Sequence, residues 1–328
     1  MVYKAAEERY DNLPARRMGD TGMILPSLSL GFWKNMGGEQ PLSKSREVIL
    51  NAFDNGIFSF DNAASYSSGA AEETFGHVFE KDLKAHRNEL VVTTKAGFHV
   101  WPGPFGEFSS KKTFVGALDL SLQRMHLDYV DIFYAHRWDP HTNLRETAET
   151  MDLMVRQGKA LYVGVSNYTT EQFNAIAPIF AELGTPFVGN QVSYNMLNRN
   201  AETTGIVDAV GSHNKGLVAY GPLAEGLLSD RYLAGIPADM PIHWSSKYIF
   251  DNGTENIHAK IVGLNEIAQQ RGQKLSQMAL AWLLKDPRVG SVIIGASQTK
   301  HLLENIKMSE NMDFSNEELN LITEILNK

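Results

Sequence analysis

The run Tyr129-Val130-Asp131-Ile132-Phe133-Tyr134-Ala135-His136 is short and mostly apolar, and it ends on a histidine. Such a run is typical of a strand that is buried on both faces, as the strands of parallel sheets are. Further runs of this kind recur along the chain, and helical stretches separate most of them. They lie at 27–33, 58–61, 90–95, 160–167, 187–191, 217–221 and 291–297.

Eight strand-like runs within 328 residues predict a single α/β domain over 1–328, a (β/α)8 TIM-type barrel. No shift in composition marks a domain boundary. Residues 43–55 have helical spacing and stop at Gly56. Residues 16–22 are typical of a turn between two short strands, and we expect this N-terminal β-hairpin to plug one end of the barrel.

The rival architecture is a doubly wound sheet that binds a dinucleotide. Such sheets carry a GxGxxG turn after the first strand, whereas here that strand is followed by Lys34-Asn35-Met36-Gly37-Gly38. Segments 96–110 and 224–256 are too long for plain connections. Because both follow strands, we expect both to lie on the C-terminal face, where barrel enzymes have their active sites.

The composition excludes several classes of function. The chain contains no cysteine, so it has no disulfide, thiolate metal site or cysteine nucleophile. Its net charge of −8 argues against nucleic-acid binding. The ten histidines show neither HxH nor HExxH spacing, and we expect no metal. The N-terminus lacks the apolar core of a signal peptide and no apolar run approaches about 20 residues, so we expect no membrane association and a cytoplasmic location.

Four polar residues stand at or just beyond the ends of consecutive predicted strands. Asp61 ends the second strand, Lys95 the third and His136 the fourth, and Tyr66 follows Asp61 in the loop. Each of them alone is more often structural than catalytic. Because the strand ends of a barrel converge on one cup, four such groups in neighbouring elements predict a shared site.

These side chains suit the reduction of a carbonyl group by hydride transfer. The alkoxide that forms needs a proton, which a tyrosine with an ordinary pKa of about 10 can donate. A lysine ammonium about 4 Å away favours tyrosinate by about 4 kcal/mol at an effective dielectric of about 20. We therefore expect Lys95 to lower the pKa of Tyr66 by up to about three units, less desolvation losses. Asp61 would keep Lys95 charged, and His136 would orient the carbonyl or join the proton relay.

The sequence resembles the aldo-keto reductases. The blocks that resemble the Asp–Tyr–Lys–His tetrad of that family are residues 60–66, 94–97 and 134–137. The resemblance covers nearly the whole chain, because further family blocks match in order at 158–167, 191–195, 221–228 and 295–297. Within the family, the chain is most similar to the branch related to potassium-channel β-subunits. The bacterial L-glyceraldehyde 3-phosphate reductases of that branch share a segment similar to residues 101–106.

The resemblance implies that the cofactor is NADPH, with NADH not excluded. Ser166, Asn167 and Gln191 would hold the nicotinamide carboxamide, and Tyr220 would stack on the nicotinamide ring. The remaining cofactor contacts, including those to the pyrophosphate and the adenosine, would come from Trp33, Pro222, Leu223, Leu228, Arg231, Gly295, Ser297, His301, Glu304 and Asn305.

The chain departs from the family pattern at the adenosine end. Gln298 stands where many relatives carry arginine, and residues 239–243 lack another arginine that the long loop often contains. Arg231 and Lys300 are the candidates to replace those charges. The choice between NADPH and NADH therefore stays open.

The candidate substrate contacts are Trp33, Lys34, Tyr66, Trp101 and Arg137. The two tryptophans suit core packing as well as a pocket wall. Lys34 and Arg137 follow strand ends, where they would either bind a substrate phosphate or stay solvated. The loop that contains Tyr66 and residues 67–69 is shorter than the matching loop of the glyceraldehyde-phosphate branch. The identity of the aldehyde therefore stays open.

The first functional hypothesis is NADPH-dependent reduction of a small aldehyde, such as glyceraldehyde 3-phosphate or methylglyoxal, with Tyr66 as the proton donor. The alternative is a nucleotide-binding, redox-sensing or association module of the channel β-subunit type with slow turnover. A barrel hydrolase or lyase that uses Asp61 and Glu72 would leave Lys95 unexplained. The family branch also implies a homotetramer or homo-octamer.

Overall fold

The computed structural model describes residues 3–34, 36–38, 40–240, 250 and 253–328. Its first elements are two short strands that pair antiparallel, β1 (Ala15–Arg17) and β2 (Ile24–Pro26). Met18, in the turn between them, is completely buried. A Cβ atom added to Gly290 would lie only 2.2 Å from the sulfur of Met18. The predicted N-terminal hairpin is therefore present, and Met18 fills the space between it and the strands above.

Eight parallel strands form a closed barrel in which neighbours along the chain are neighbours in space. They are β3 (Leu28–Gly31), β4 (Ser59–Asp61), β5 (Val91–Ala96), β6 (Val130–Ala135), β7 (Ala160–Ser166), β8 (Phe187–Ser193), β9 (Gly216–Tyr220) and β10 (Val289–Ile294). The barrel closes where β10 pairs with β3, with Val292 opposite Leu28. The predicted (β/α)8 barrel is confirmed, and the doubly wound sheet, which would reverse its strand order, is wrong.

Helices surround the barrel. They are α1 (Leu42–Asp54), α2 (Ala70–Val78), α3 (Lys111–Met125), α4 (Leu144–Arg156), α5 (Thr170–Leu183), α6 (Asn200–Thr203), α7 (Ile206–Ser212), α8 (Thr254–Gln270), α9 (Leu275–Leu283), α10 (Thr299–Ile306) and α11 (Asn316–Asn327). The helix predicted at 43–55 is α1, one residue earlier at each end. Local sequence sets the ends of several helices: a capping box of Thr169 and Gln172 starts α5, and Gly184, at a φ of 70°, ends it.

Apolar side chains fill both the barrel interior and the layer between strands and helices. Inside the barrel, Tyr134 is almost completely buried. A Cβ atom on Gly164 of the neighbouring strand would lie 2.4 Å from its ring, so only glycine fits there. In the outer layer, Phe114 of α3 packs against Phe133 of β6 with ring centroids 5.4 Å apart. The interior is thus a packed core, and the open C-terminal end is left for function.

The two long predicted segments both follow barrel strands. The first leaves the end of β5 and reaches α3 at Lys111. The second, predicted at 224–256, runs into α8, which begins at Thr254; its residues 241–249 and 251–252 lie outside the described part of the chain. Of the described helices, none combines the length and the apolar character that crossing a membrane requires.

The first and the last predicted strands extend well past the C-terminal ends of the observed ones. The last was predicted at 291–297, but β10 ends at Ile294 because the chain then turns toward α10. Gly295 and Ser297 are already exposed in that turn. The first was predicted at 27–33, whereas β3 ends at Gly31. Trp33 and Lys34 therefore belong to a loop at the C-terminal end of the barrel, and Lys34 adopts a left-handed backbone with a φ of 65°.

Candidate active site

The four polar residues predicted to share a site lie at adjoining strand ends. Asp61 is the last residue of β4, Lys95 is the last but one of β5, and His136 directly follows β6. Tyr66 opens the short 3-10 turn Tyr66–Gly69 beyond β4. Because the three strands are parallel neighbours, their C-terminal ends meet at one edge. The structure brings all four side chains together there.

Lys95 is the centre of this group and is completely buried. Its Nζ atom donates to Oδ2 of Asp61 at 2.6 Å, to the carbonyl oxygen of Asn62 at 2.7 Å and to the hydroxyl of Tyr66 at 3.3 Å. An ammonium group has three donors and no acceptor, so these three contacts satisfy it completely. Burial lowers the pKa of Lys95, and the Asp61 carboxylate opposes that shift. The hydroxyl oxygen of Tyr66 accepts from Lys95, which leaves the phenolic proton free to be donated.

Asp61 binds Lys95 through a carboxylate group that two further side chains hold in place. Its Oδ1 atom accepts from the hydroxyl of Thr93 at 2.7 Å and from Nε2 of Gln191 at 2.9 Å. With Oδ2 bound to Lys95, both carboxylate oxygens have donors. Such a carboxylate is fixed in place against Lys95.

Tyr66 has a pKa well above its ordinary value. Burial is the larger cause, and the negative charge of Asp61 is the second. The direction is opposite to the lowering that we expected from the sequence. The reason is that the phenol loses water on burial and lies close to the negative charge of Asp61. The ring itself remains half-buried at the mouth. Tyr66 is thus a protonated phenol that keeps its proton until a stronger base forms beside it.

His136 lies against two aromatic rings. Its ring centroid is 5.7 Å from that of Tyr66 and 4.7 Å from that of Phe98, which stands nearly perpendicular to it. Burial lowers the pKa of His136 well below its usual range, and the positive charges of Lys95 and Arg137 lower it further. The imidazole is therefore neutral at physiological pH. Its Nδ1 atom is buried and has no hydrogen-bond partner among the described residues.

A second group of polar side chains adjoins the first. The amide of Asn167 donates to the carbonyl oxygen of His136 at 3.0 Å and accepts from the hydroxyl of Tyr220 at 2.7 Å. Ser166 donates to the carbonyl oxygen of Gln191 at 2.9 Å. Asn167 has a left-handed backbone with a φ of 59°, which turns its side chain into the exposed mouth.

This second group fits one end of a nicotinamide cofactor. A primary carboxamide needs both donors and acceptors, and the hydroxyl and amide groups of Ser166, Asn167 and Gln191 supply both. Tyr220 adds a half-buried aromatic ring next to Asn167. Gln191 joins this group directly to Asp61, so the two groups form one connected network.

Apart from Trp33, which follows β3, the other predicted cofactor contacts lie beyond β9 and β10, which are neighbours in the barrel. Pro222 and Leu228 are buried and Leu223 is half-buried, whereas Arg231 is exposed with its guanidinium 5.1 Å from the ring of Tyr232. Gly295, Ser297 and His301 are exposed near the start of α10. Asn305 is buried, and Glu304 is bound by Lys274 at 3.0 Å. The two segments approach each other at Lys274, which contacts both Asp230 and Glu304.

Apart from Tyr66, the predicted substrate residues divide into two pairs. Trp33 and Lys34 are exposed together at the mouth, with Nζ of Lys34 4.5 Å from the ring centroid of Trp33. Trp101 instead packs on α3, where a Cβ atom on Gly116 would lie 3.3 Å from its ring. Arg137 is bound to Gly97 and Glu107 of the loop at 97–110. The structure therefore ties the second pair to that loop.

Sequence reasoning missed three residues of the site. Thr93 could have been found, because it lies two residues before Lys95 and so faces the same side of the strand. Asn62 contributes a backbone carbonyl, which residue type cannot reveal. Phe98 lies in a long loop whose course no periodic pattern describes.

The pairing of Asp61 with Glu72 that a hydrolase would need is not present. Glu72 of α2 is completely buried and accepts from Thr94 at 2.6 Å and from Arg124 at 3.0 Å. Thr94 and Lys95 point to opposite faces of β5, so Glu72 lies behind the strand, away from Asp61. Across the described residues, no group of three or more histidine or acidic side chains is arranged to hold a metal ion.

Comparison with known proteins identifies the family. The model of the Aldo/keto reductase family matches residues 27–327. A protein of Escherichia coli (strain K12) named L-glyceraldehyde 3-phosphate reductase is 44% identical over 329 residues, covering 97% of this chain and 94% of that protein. An Arabidopsis thaliana protein named "Probable voltage-gated potassium channel subunit beta" is 33% identical over 297 residues, covering 89% of this chain and 90% of that protein. The chain therefore belongs to the aldo/keto reductase family and is an oxidoreductase.

Proposed function

We propose that this enzyme reduces a small aldehyde with NADPH and that Tyr66 donates the proton. The observation that carries the proposal is the contact of the Tyr66 hydroxyl with the Lys95 ammonium at 3.3 Å, beside His136. When bound, the nicotinamide supplies a hydride to the carbonyl carbon. The chain supplies a proton donor for the carbonyl oxygen and a means to stabilise the anion that the donor becomes.

Each residue of the site has a separate part in that proton transfer. Tyr66 is protonated before the reaction, and an alkoxide is a stronger base than a phenolate, so the proton moves to the substrate oxygen. Lys95 then stabilises the tyrosinate through the hydrogen bond that it already makes. Asp61 keeps Lys95 charged and in place. The neutral His136 donates a hydrogen bond to the carbonyl oxygen and orients it.

For the cofactor, we propose that Ser166, Asn167 and Gln191 hold the carboxamide and that Tyr220 stacks on the ring. The segments that follow β9 and β10 would bind the pyrophosphate and the adenosine. Arg231 and Lys300, both exposed, are the cations that we assign to the 2′-phosphate. Gln298, which precedes α10, contributes no charge there.

For the substrate, we propose glyceraldehyde 3-phosphate, methylglyoxal or a similar small aldehyde. The 44% identical relative named L-glyceraldehyde 3-phosphate reductase supports a phosphorylated aldehyde. Lys34, exposed at the mouth beside Trp33, is the cation that we assign to the substrate phosphate. We further propose that the chain is one domain that acts in the cytoplasm as a homotetramer or homo-octamer. Light scattering that finds only monomers would refute the oligomer.

The test is the loss of nicotinamide absorbance when purified protein, NADPH and a panel of small aldehydes are mixed, with NADH in parallel. We expect NADPH to be consumed, and the Tyr66→Phe variant to lose about 100-fold or more in kcat. The matched control is Tyr162→Phe in β7, which removes a hydroxyl near the opposite end of the barrel. Tight NADPH binding without turnover on any aldehyde would favour the second candidate, a nucleotide-sensing module like the channel β-subunit relatives.

A further inference from the structure

Arg137 directly follows His136, and its side chain is enclosed by the loop at 97–110. The guanidinium carbon lies 4.6 Å from the ring centroid of Phe98 and 4.4 Å from that of Phe108. The planar cation is thus in contact with two aromatic faces, an arrangement that suits arginine and not lysine.

The edge of the same guanidinium is also occupied. Its Nε donates to the carbonyl oxygen of Gly97 at 3.0 Å, and Nη2 forms an ion pair with Glu107. The charge of Arg137 is therefore largely used within the loop. A substrate phosphate would have to compete with Glu107 for it.

Hydrogen bonds join the loop at a second point to the segment that follows β6. Both the backbone nitrogen and the hydroxyl of Ser109 donate to Oδ2 of Asp139, at 3.0 and 3.2 Å. Between the two points, Phe108 has a left-handed backbone with a φ of 65°. A bulky residue keeps such a conformation only where its surroundings enforce it. The contacts with Arg137 and Asp139 are those surroundings.

We propose that Arg137 is a positioning residue, which holds Phe98 against His136 and so fixes the imidazole at the substrate carbonyl. The proposal rests on the function proposed above. The Phe98 ring stands at 89° to the His136 ring with centroids 4.7 Å apart, and the Tyr66 ring contacts the same imidazole with centroids 5.7 Å apart. If Phe98 lost its contact with His136, the imidazole would rotate more freely and water would reach it.

The groups that face His136 allow charge and packing effects to be separated. Lys95 and Arg137 bring positive charge, Tyr66 and Phe98 bring rings, and the amide of Asn167 binds its backbone oxygen. Arg137→Met removes both the charge and the stacking. Arg137→Lys keeps the charge and loses the planar contact with the two phenylalanines.

The experiment compares wild type, Arg137→Met, Arg137→Lys and Phe98→Leu, with Arg145→Met as the control. Arg145 is an exposed arginine of α4 that pairs with Glu182 away from the site. Three quantities are measured: kcat and KM for a phosphorylated and an unphosphorylated aldehyde, and the titration of His136 by histidine-ring NMR without substrate. The His136→Gln variant identifies the His136 signal.

We expect kcat to fall about 10- to 100-fold in Arg137→Met, Arg137→Lys and Phe98→Leu, because a small displacement of a reacting group is costly. KM for the two aldehydes should change by the same factor, and His136 should titrate at higher pH than in wild type. Wild-type kcat and titration in Arg137→Lys would overturn the proposal. So would a rise in KM confined to the phosphorylated aldehyde. If wild type reduces no aldehyde, the proposed function fails, and the His136 titration in Arg137→Lys still decides the positioning role.

Discussion

Gln191 of β8 donates a hydrogen bond of 2.9 Å to Asp61 of β4, across the mouth of the barrel. The two residues are 130 positions apart in the chain. Asp61 fixes Lys95, while Gln191 adjoins Ser166 and Asn167, the residues that we assign to the nicotinamide. The proposed proton donor and the proposed cofactor position are thus joined by one network, which a single substitution can divide.

Gln191→Leu should impair both parts of that network. The variant removes one donor from a buried carboxylate, a loss of about 1.5–3 kcal/mol for a hydrogen bond to a charged group. We expect weaker NADPH binding together with a lower kcat, measured by fluorescence titration and steady-state kinetics. Gln123→Leu on the exposed surface of α3 is the control. If NADPH binding alone weakens and kcat is unchanged, Gln191 does not act through Asp61.

Lys95→Met should destabilise the fold as well as abolish activity. It leaves Asp61 charged and buried without its cation, which costs about 3–5 kcal/mol. Urea unfolding of Lys95→Met, Asp61→Asn and the double variant measures the coupling between the two residues. We expect the double variant to be more stable than Lys95→Met alone. Strictly additive losses would show that the 2.6 Å pair contributes no coupling.

The stability of the protein should fall in mild acid because of His136. Its pKa in the folded state lies well below the ordinary value of 6.5, so the unfolded chain binds the proton more readily. The stability present above about pH 6.5 is therefore lost as the pH decreases, at up to about 1.4 kcal/mol per pH unit. Urea unfolding of wild type and His136→Gln is measured at about pH 7.5 and about pH 5.5, on either side of the ordinary histidine pKa of about 6.5. The change in unfolding free energy between the two pH values is then compared for the two proteins. Equal pH dependence in the two proteins would contradict the buried, neutral imidazole.

Cofactor preference should depend on the charges near the start of α10. Gln298→Arg adds a cation at the uncharged residue that precedes α10, and a helix N-terminus itself favours an anion. We expect the ratio of kcat/KM for NADPH to that for NADH to rise about tenfold in Gln298→Arg and to fall similarly in Lys300→Ala, as one charge-assisted contact implies. Lys111→Ala, at the start of α3, serves as the control. An unchanged ratio in both variants would remove Lys300 and Gln298 from the 2′-phosphate site.

Most of the fold and the central group of the site were predictable from the sequence. Buried parallel strands are marked by apolar runs, and the chemistry of a barrel lies at strand ends, so Asp61, Lys95 and His136 could be placed together. Tyr66 followed because its loop leaves the same end.

What the sequence could not predict depends on burial and on contacts between distant residues. The predicted direction of the Tyr66 pKa shift was wrong because burial and the negative charge of Asp61 both raise that pKa in the folded protein. Arg137 carries a charge that suggests a phosphate, yet the structure binds it to Glu107, thirty residues away in the chain. Phe98 contacts both His136 and Arg137 in the folded protein, and no periodic pattern in the sequence of the loop at 97–110 indicates either contact.

The most direct test of the proposed proton transfer is a single turnover with wild type and Tyr66→Phe, each saturated with NADPH and mixed with one small aldehyde. Alcohol and oxidised cofactor are both quantified. We expect equal amounts of the two products in wild type, and a rate at least about 100-fold lower in Tyr66→Phe at unchanged NADPH affinity. Alcohol formation by Tyr66→Phe at the wild-type rate would contradict the assignment of Tyr66 as proton donor, and no alcohol from wild type would contradict the reductase itself.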